Sequence, residues 1–267
     1  MIKKQNKRFL SALVSVIMLV SLLPSFVFAA DGTPKINAEN GAYIIEDVKD
    51  LVWFGEQVAS GKNKINAELA DDIDLSGTKW TAINPSDGYA TSAFGGTFDG
   101  KNHLIKGLKI NATAANQGLF GVVYGGTVKN LRVEGNVYSD KNYVGGIVGK
   151  FMHGTMENCS FYGSVSSNNT YVGGLIGFAG NGPKQKATIT GCVNTANVKS
   201  TSTQGIVGGI VGAAKYTTVN DSYNTGIISS DNLSGSIAGK LNNSSRIVNC
   251  YSVNNSAEIC GKLHGST

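Results

Sequence analysis

Histidine is nearly missing from this chain, with three among 267 residues; proline and cysteine are scarcely commoner at four each, and tryptophan is rarer still at two. Charged side chains make up only 15%. His103, His153 and His264 show no metal-ligand spacing among themselves. The HExxH pattern of zinc proteases does not occur. Nor does the G-x-S-x-G elbow that raises a serine nucleophile. Arginine is as rare: beyond residue 30 there are only Arg132 and Arg246, neither close in sequence to an acidic cluster. A polysaccharide lyase would lack the basic group it needs beside its metal. No catalytic residue is assigned, and no cofactor is implied.

Long apolar runs are confined to the start. Lys3, Lys4, Lys7 and Arg8 precede an apolar stretch from Phe9 to Phe28, and Val27 and Ala29 supply small residues at −3 and −1. This pattern predicts a signal peptide over 1–29, cleaved after Ala29, and a secreted, extracellular chain that is free or held at the cell surface. An uncleaved anchor is the alternative, since the run approaches the length of a membrane span. No second such run follows, so no membrane span is expected after cleavage. Removing the four basic residues of the leader takes the formal charge from +5 to +1, with 19 Lys+Arg against 18 Asp+Glu. Nucleic acid and anionic membranes lose their electrostatic motive as partners.

What is abundant is glycine, 35 residues, and much of it recurs in register. Gly118-Leu-Phe-Gly121 is followed by Val144-Gly-Gly-Ile-Val-Gly149, Val172-Gly-Gly-Leu-Ile-Gly177, Val207-Gly-Gly-Ile-Val-Gly212 and Ser234-Gly-Ser-Ile-Ala-Gly239. The final glycines are 28, 28, 35 and 27 residues apart. Asn130, Asn158, Gly191, Asp221 and Asn249 keep the same step, followed by Leu131, Cys159, Cys192, Ser222 and Cys250. Five residues after the asparagine position come Gly135, Gly163, Ala196, Gly226 and Asn254. Short β-branched runs between Gly/Asn turns, repeating with one period, predict an all-β fold: a right-handed parallel β-helix, or β-solenoid, of ~28-residue coils.

The longer third coil places most of its extra residues around Phe178–Ala187, as an outward loop carrying Lys184 and Lys186. Before the repeats, Glu46 to Ser60 has helical spacing at Val48, Leu51, Val52 and Val58, with Gly61 as a C-terminal cap. The expected organisation is therefore a 30–66 segment with a capping helix, irregular first coils over 67–117 and regular coils over 118–267. Trp53 and Phe54 are expected to pack on the open end of the solenoid.

Asp72-Ile-Asp-Leu-Ser-Gly77, Trp80, Phe94-Gly-Gly-Thr-Phe-Asp-Gly100, His103 and the Gly118 and VGGIVG segments, in that order, resemble the GLUG-motif proteins. These are secreted or wall-attached bacterial proteins, and they include the region upstream of the protease domain in streptococcal immunoglobulin A1 peptidases. The resemblance runs from about Ala42 to Tyr251. It implies a β-solenoid at the cell surface and, without a protease motif, no peptidase activity.

The residues leave a short set of candidate sites. Asp72, Asp74 and Asp99 are the candidates for calcium, or for an acid and base pair in a carbohydrate-active β-helix enzyme, but fit turns better. Cys159 and Cys192 read as inward ladder members. Cys250 and Cys260 admit a disulfide near the C-terminal end. Tyr143 and Tyr171, at equal register before two VGG segments, would offer aromatic faces to sugar rings if exposed, or else clamp turns. With Lys184 and Lys186 they make up the ligand-binding candidates. The expected function is a non-catalytic binding, adhesion or spacing module with a glycan, cell-wall polymer or host extracellular protein as partner. The alternatives are the carbohydrate-active enzyme and an accessory part of a larger surface protease.

Overall fold

The structure is a computed structural model that describes residues 32–86, 92–253 and 257–265. The segment 1–29, read above as a signal peptide, and Asn254 lie outside the described residues. Among the described residues, the chain from Tyr43 onwards winds through four parallel sheets in turn. Every strand pairing in these sheets is parallel. Sheet I has eight strands, from Tyr43–Ile45 to Arg246–Val248. Sheet II has nine and includes Leu104–Ala112, Arg132–Ser139 and Ser160–Ser167. Sheet III has six, from Phe120–Val123 to Cys260–His264, and sheet IV four short ones, from Val144–Gly145 to Leu233–Gly235. One coil thus visits Gly126–Lys129 (I), Arg132–Ser139 (II), Val144–Gly145 (IV) and Val148–Phe151 (III) before re-entering sheet I at Gly154–Glu157. The chain is a parallel β-solenoid.

The repeated residues explain why the coils stack in register. Asn130, Asn158, Asp221 and Asn249 all have φ between 47° and 51°, and Gly191, at 62°, takes the same place in the third coil. Asparagine and aspartate tolerate this left-handed turn, and their side chains tie it to its neighbours. The Nδ2 of Asn158 donates to Asn130 Oδ1 at 3.3 Å, and that of Asn130 donates to Asp99 Oδ1 at 3.0 Å. The paired glycines of VGG serve a different purpose. A Cβ on Gly146 would stand 2.3 Å from the Phe161 ring, and one on Gly174 2.1 Å from the Gly209 carbonyl and 2.4 Å from Asn194. These glycines let the backbone of sheet IV lie against side chains from the inner face of sheet II.

Ladders of Val, Ile, Leu and Phe fill the interior. The inward column of sheet II changes character along the axis, from Val133 and Phe161 to fully buried Asn194 and Asn224. The two amides are satisfied: Asn194 Nδ2 donates to Asn224 Oδ1 at 2.7 Å, and each Oδ1 accepts the backbone N–H two residues on.

Helix α1 (Val48–Ala59) begins at Asp47, whose carboxylate accepts the backbone N–H of Lys49 and Asp50. Its Leu51, Phe54 and Val58 are buried in the core, and Phe54 meets Phe94 and Phe98 at ring distances of 5.6 and 5.5 Å. Trp53 lies 4.7 Å from the Tyr43 ring, whereas Val52 faces solvent. The helix closes the first end of the core, as expected. It is not outside the solenoid, however, because Tyr43–Ile45 already pairs with Ala67–Leu69 in sheet I. A three-residue strand is too short for alternation to mark it.

The opposite end is different. Exposed large apolar residues among those described cluster there, at Ile227, Val248, Tyr251, Val253, Ile259 and Leu263.

The seven extra residues of the third coil split between two corners. Seven residues separate Ala179 from Ala187, where two separate Phe151 from Gly154. Six separate Ser200 from Val207, where four separate Ser167 from Val172. The longer insertion folds back: Gln185 Nε2 donates to Tyr124 Oη at 2.7 Å, and Asn181 Nδ2 donates to Gln185 Oε1.

Candidate functional site

The aspartates are taken up by turns and lysines. Asp72 accepts Leu104 N–H at 2.8 Å and lies 3.3 Å from His103 Nδ1. The Leu104 bond first, then His103, lower its pKa. Asp74 accepts from Ser76 N–H at 2.8 Å and pairs with Lys106 at 3.2 Å, and these bonds, Ser76 foremost, hold it at about 2. Burial pushes Asp99 up, but the Lys101 N–H, Asn130 and Lys129 outweigh it and leave its pKa lowered. Among the described residues no group of three His, Cys, Asp or Glu is placed to hold a metal ion. Each of these carboxylates is thus engaged by a turn N–H and by a basic side chain.

The cysteines are free. The disulfide that Cys250 and Cys260 would allow is not formed. Cys250 sits at the corner between sheets I and II, its Sγ 3.5 Å from the Val219 carbonyl of the coil below, while Cys260 lies in sheet III paired with Ala238. Cys159 and Cys192 are inward and buried, without a disulfide between them. Burial, and after it the neighbouring Cys192, push the Cys159 thiol well above its ordinary value, so it is no nucleophile.

Tyr143 and Tyr171 are brought together, with ring centroids 5.4 Å apart and planes 2° from parallel. Both are half-buried at positive φ, 64° and 60°. Phe178 abuts both edge-on at 5.8 and 5.7 Å, and Lys150 Nζ stands 4.7 Å over Tyr143. The register continues the column to Ile206. The two rings therefore spend their facing surfaces on each other, and the pair clamps successive turns rather than spreading a platform. Lys184 and Lys186 are exposed on the third-coil insertion, at the corner between sheets III and I. The four ligand-binding candidates do not form one site.

A groove that the sequence did not reveal lies on the outer face of sheet II. It measures about 680 Å³. One wall is the segment 76–80, anchored by buried Trp80, whose Nε1 donates to the Leu119 carbonyl at 3.3 Å. Buried Leu108 and Gly135 line the floor, with exposed Lys109, Asn111, Glu134 and Asn136 around them. The strands of sheet II bend at this column. Gly107 takes φ +72° at a shift of register, and a Cβ on Gly135 would meet the Leu108 carbonyl at 2.1 Å. A shallower extension of about 330 Å³ runs on to Tyr138, Ser164 and Ser166 of the next coil. The signal was present in the alternation Arg132, Glu134, Asn136, Tyr138 and in the bend glycines. The overhanging wall was not, since it comes from an irregular early coil.

Comparison with known proteins agrees with this architecture. The GLUG motif model matches residues 168–199. That span runs from the corner before Tyr171 through the third-coil insertion to the strand Asn197–Ser200. A solved structure, that of a candidate immunoglobulin A1 protease from Bacteroides ovatus, superposes with a TM-score of 0.64 at 20% identity, covering 88% of this chain and 86% of that one. At that identity the likeness is one of fold. No curated protein matches the chain. Among the described residues no helix is long and apolar enough to cross a membrane.

Proposed function

We propose that this chain is a non-catalytic binding module that works outside the cell, secreted or held at its surface, and presents the outer face of sheet II to a glycan, wall polymer or host protein. One observation carries the reading. The groove gathers ionic, amide and hydroxyl side chains from consecutive coils on a rigid scaffold, while every candidate catalytic carboxylate is committed to a turn or an ion pair. Export rests on the leader-like pattern of 1–29. The test is to present residues 30–267 to an array of glycans, wall polymers and extracellular-matrix proteins, and to follow any ligand for shortening. Saturable binding without product is expected. A silent array, or cleavage of the ligand, would sink the proposal.

A second reading is favoured by the fold shared with the Bacteroides ovatus protein: an accessory part of a surface protease. It predicts that this chain alone leaves immunoglobulin A1 intact, yet binds it.

A further inference from the structure

The groove has features that single out one kind of ligand. Its side chains repeat along the solenoid axis, because the strands pair in register. Lys109, Asn136 and Ser164 form one outward column, continued by Asn197. Asn111, Tyr138 and Ser166 form the next, continued by Lys199. Each rung advances by about 4.8 Å. That is close to the advance of one sugar in an extended β-linked hexose chain, so such a chain laid along the axis meets one pair of polar side chains at every residue.

The chemistry of the set narrows the ligand further. Amides and hydroxyls both donate and accept, as sugar hydroxyls do. Ser164 Oγ donates to Asn136 Oδ1 at 2.7 Å, which fixes the Asn136 amide and leaves its Nδ2 without a partner among the described residues. The charges at the groove are of both signs, Lys79 and Lys109 against Glu134, with no ion pair to any described residue. A polyanion would set carboxylates beside Glu134, and a polycation would set ammonium groups beside the lysines. A peptide would find no strand edge to pair with, since sheet II meets the groove with its side-chain face.

From this we infer that the groove is a binding site for an extended, uncharged β-linked glycan lying along the solenoid axis, one sugar per coil. The inference rests on the binding-module reading above and gives it a place and a substrate class. The bent column at Leu108 and Gly135 supplies the hollow, the 76–80 segment closes one side, and the columns read the hydroxyls.

The experiment is titration calorimetry with β-1,4-linked glucose and N-acetylglucosamine oligomers of two to six sugars, with hyaluronan oligomers as the charged comparison. Affinity for one neutral series should rise with length and level off at about four sugars, one for each rung from Lys109 to Asn197. Asn136→Leu, at an exposed position, should weaken the tetramer by about tenfold or more by removing hydrogen bonds and filling the hollow. Lys184→Ala, outside the groove, should leave it unchanged. Circular dichroism of each variant separates lost binding from lost folding. Glycan binding that ignores length, or that survives Asn136→Leu in a folded protein, overturns the inference and leaves the binding-module reading standing. So does binding of hyaluronan alone, or of only a protein on the array. No binding to any array member overturns both.

Discussion

Alanine at Gly174 would press a methyl group to 2.1 Å from a backbone carbonyl, and nothing flexible is there to give way. Overpacking of this kind costs about 1–3 kcal/mol or more. Gly174→Ala should therefore lower the urea midpoint sharply, whereas Gly182→Ala, which meets nothing within 4 Å, should stay within about 0.5 kcal/mol of the parent. Equal effects would refute the close-approach account of the VGG motif. The asparagine turn makes a second comparison. Asn158→Gly copies what the third coil already has at Gly191 and should be tolerated, while Asn158→Val should lose about 1–2 kcal/mol to its left-handed backbone. Acid should destabilise the protein in two stages. His153 is lowered by burial, so the unfolded chain binds its proton first, and stability falls as pH drops through about 6.5. Asp72, Asp74, Asp99 and Glu68 are also lowered, so their contributions hold above about 4 and vanish as pH approaches 2. Urea midpoints at pH 7.5, 5.5 and 3 should fall in that order, and His153→Gln should flatten only the first step.

Helix α1 departs from the repeat, and its worth can be measured separately. Phe54 is fully buried against Phe94 and Phe98, so Phe54→Ala should cost about 3–5 kcal/mol. Asp47→Ala removes only the cap bonds and should cost about 1 kcal/mol. Both are read from thermal unfolding, and a Phe54→Ala effect no larger than that of the cap would mean the helix does not close the core. This element was legible in the sequence because a dozen residues at helical spacing between Asp47 and Gly61 leave few other readings. The regular coils were legible for the same reason, each register being written five times. The tyrosines were left with two readings, platform or turn clamp, because sequence places residues on a column but does not say whether ring faces point outward or along the axis. The groove escaped notice because half of it is the 76–80 segment, whose position depends on a single early coil and its bulge at Gly107. The first strand, Tyr43–Ile45, was simply too short to show a period.

At the scale of the whole chain each coil touches only its neighbours, so stability accumulates coil by coil. Removing residues 246–267 strips the last strands of sheets I, II and III and should leave a shorter solenoid that still gives a β spectrum and unfolds at lower temperature. Removing 32–66 takes away α1 and the first strand, uncovers Phe94 and Phe98, and should leave a protease-sensitive chain. Limited proteolysis with circular dichroism distinguishes the two, and collapse of both would mean that the coils do not act as neighbours. Repetition also carries a hazard during folding, since a strand can pair one coil out of phase with much the same backbone bonds. The inward column of sheet II guards against this. A slip that set Phe161 beside Asn224 would break the Asn194–Asn224 bond and leave a buried amide unsatisfied, at about 1–3 kcal/mol. The change from phenylalanine to asparagine partway along the axis thus serves as a phase mark, telling an otherwise interchangeable set of coils which one comes next.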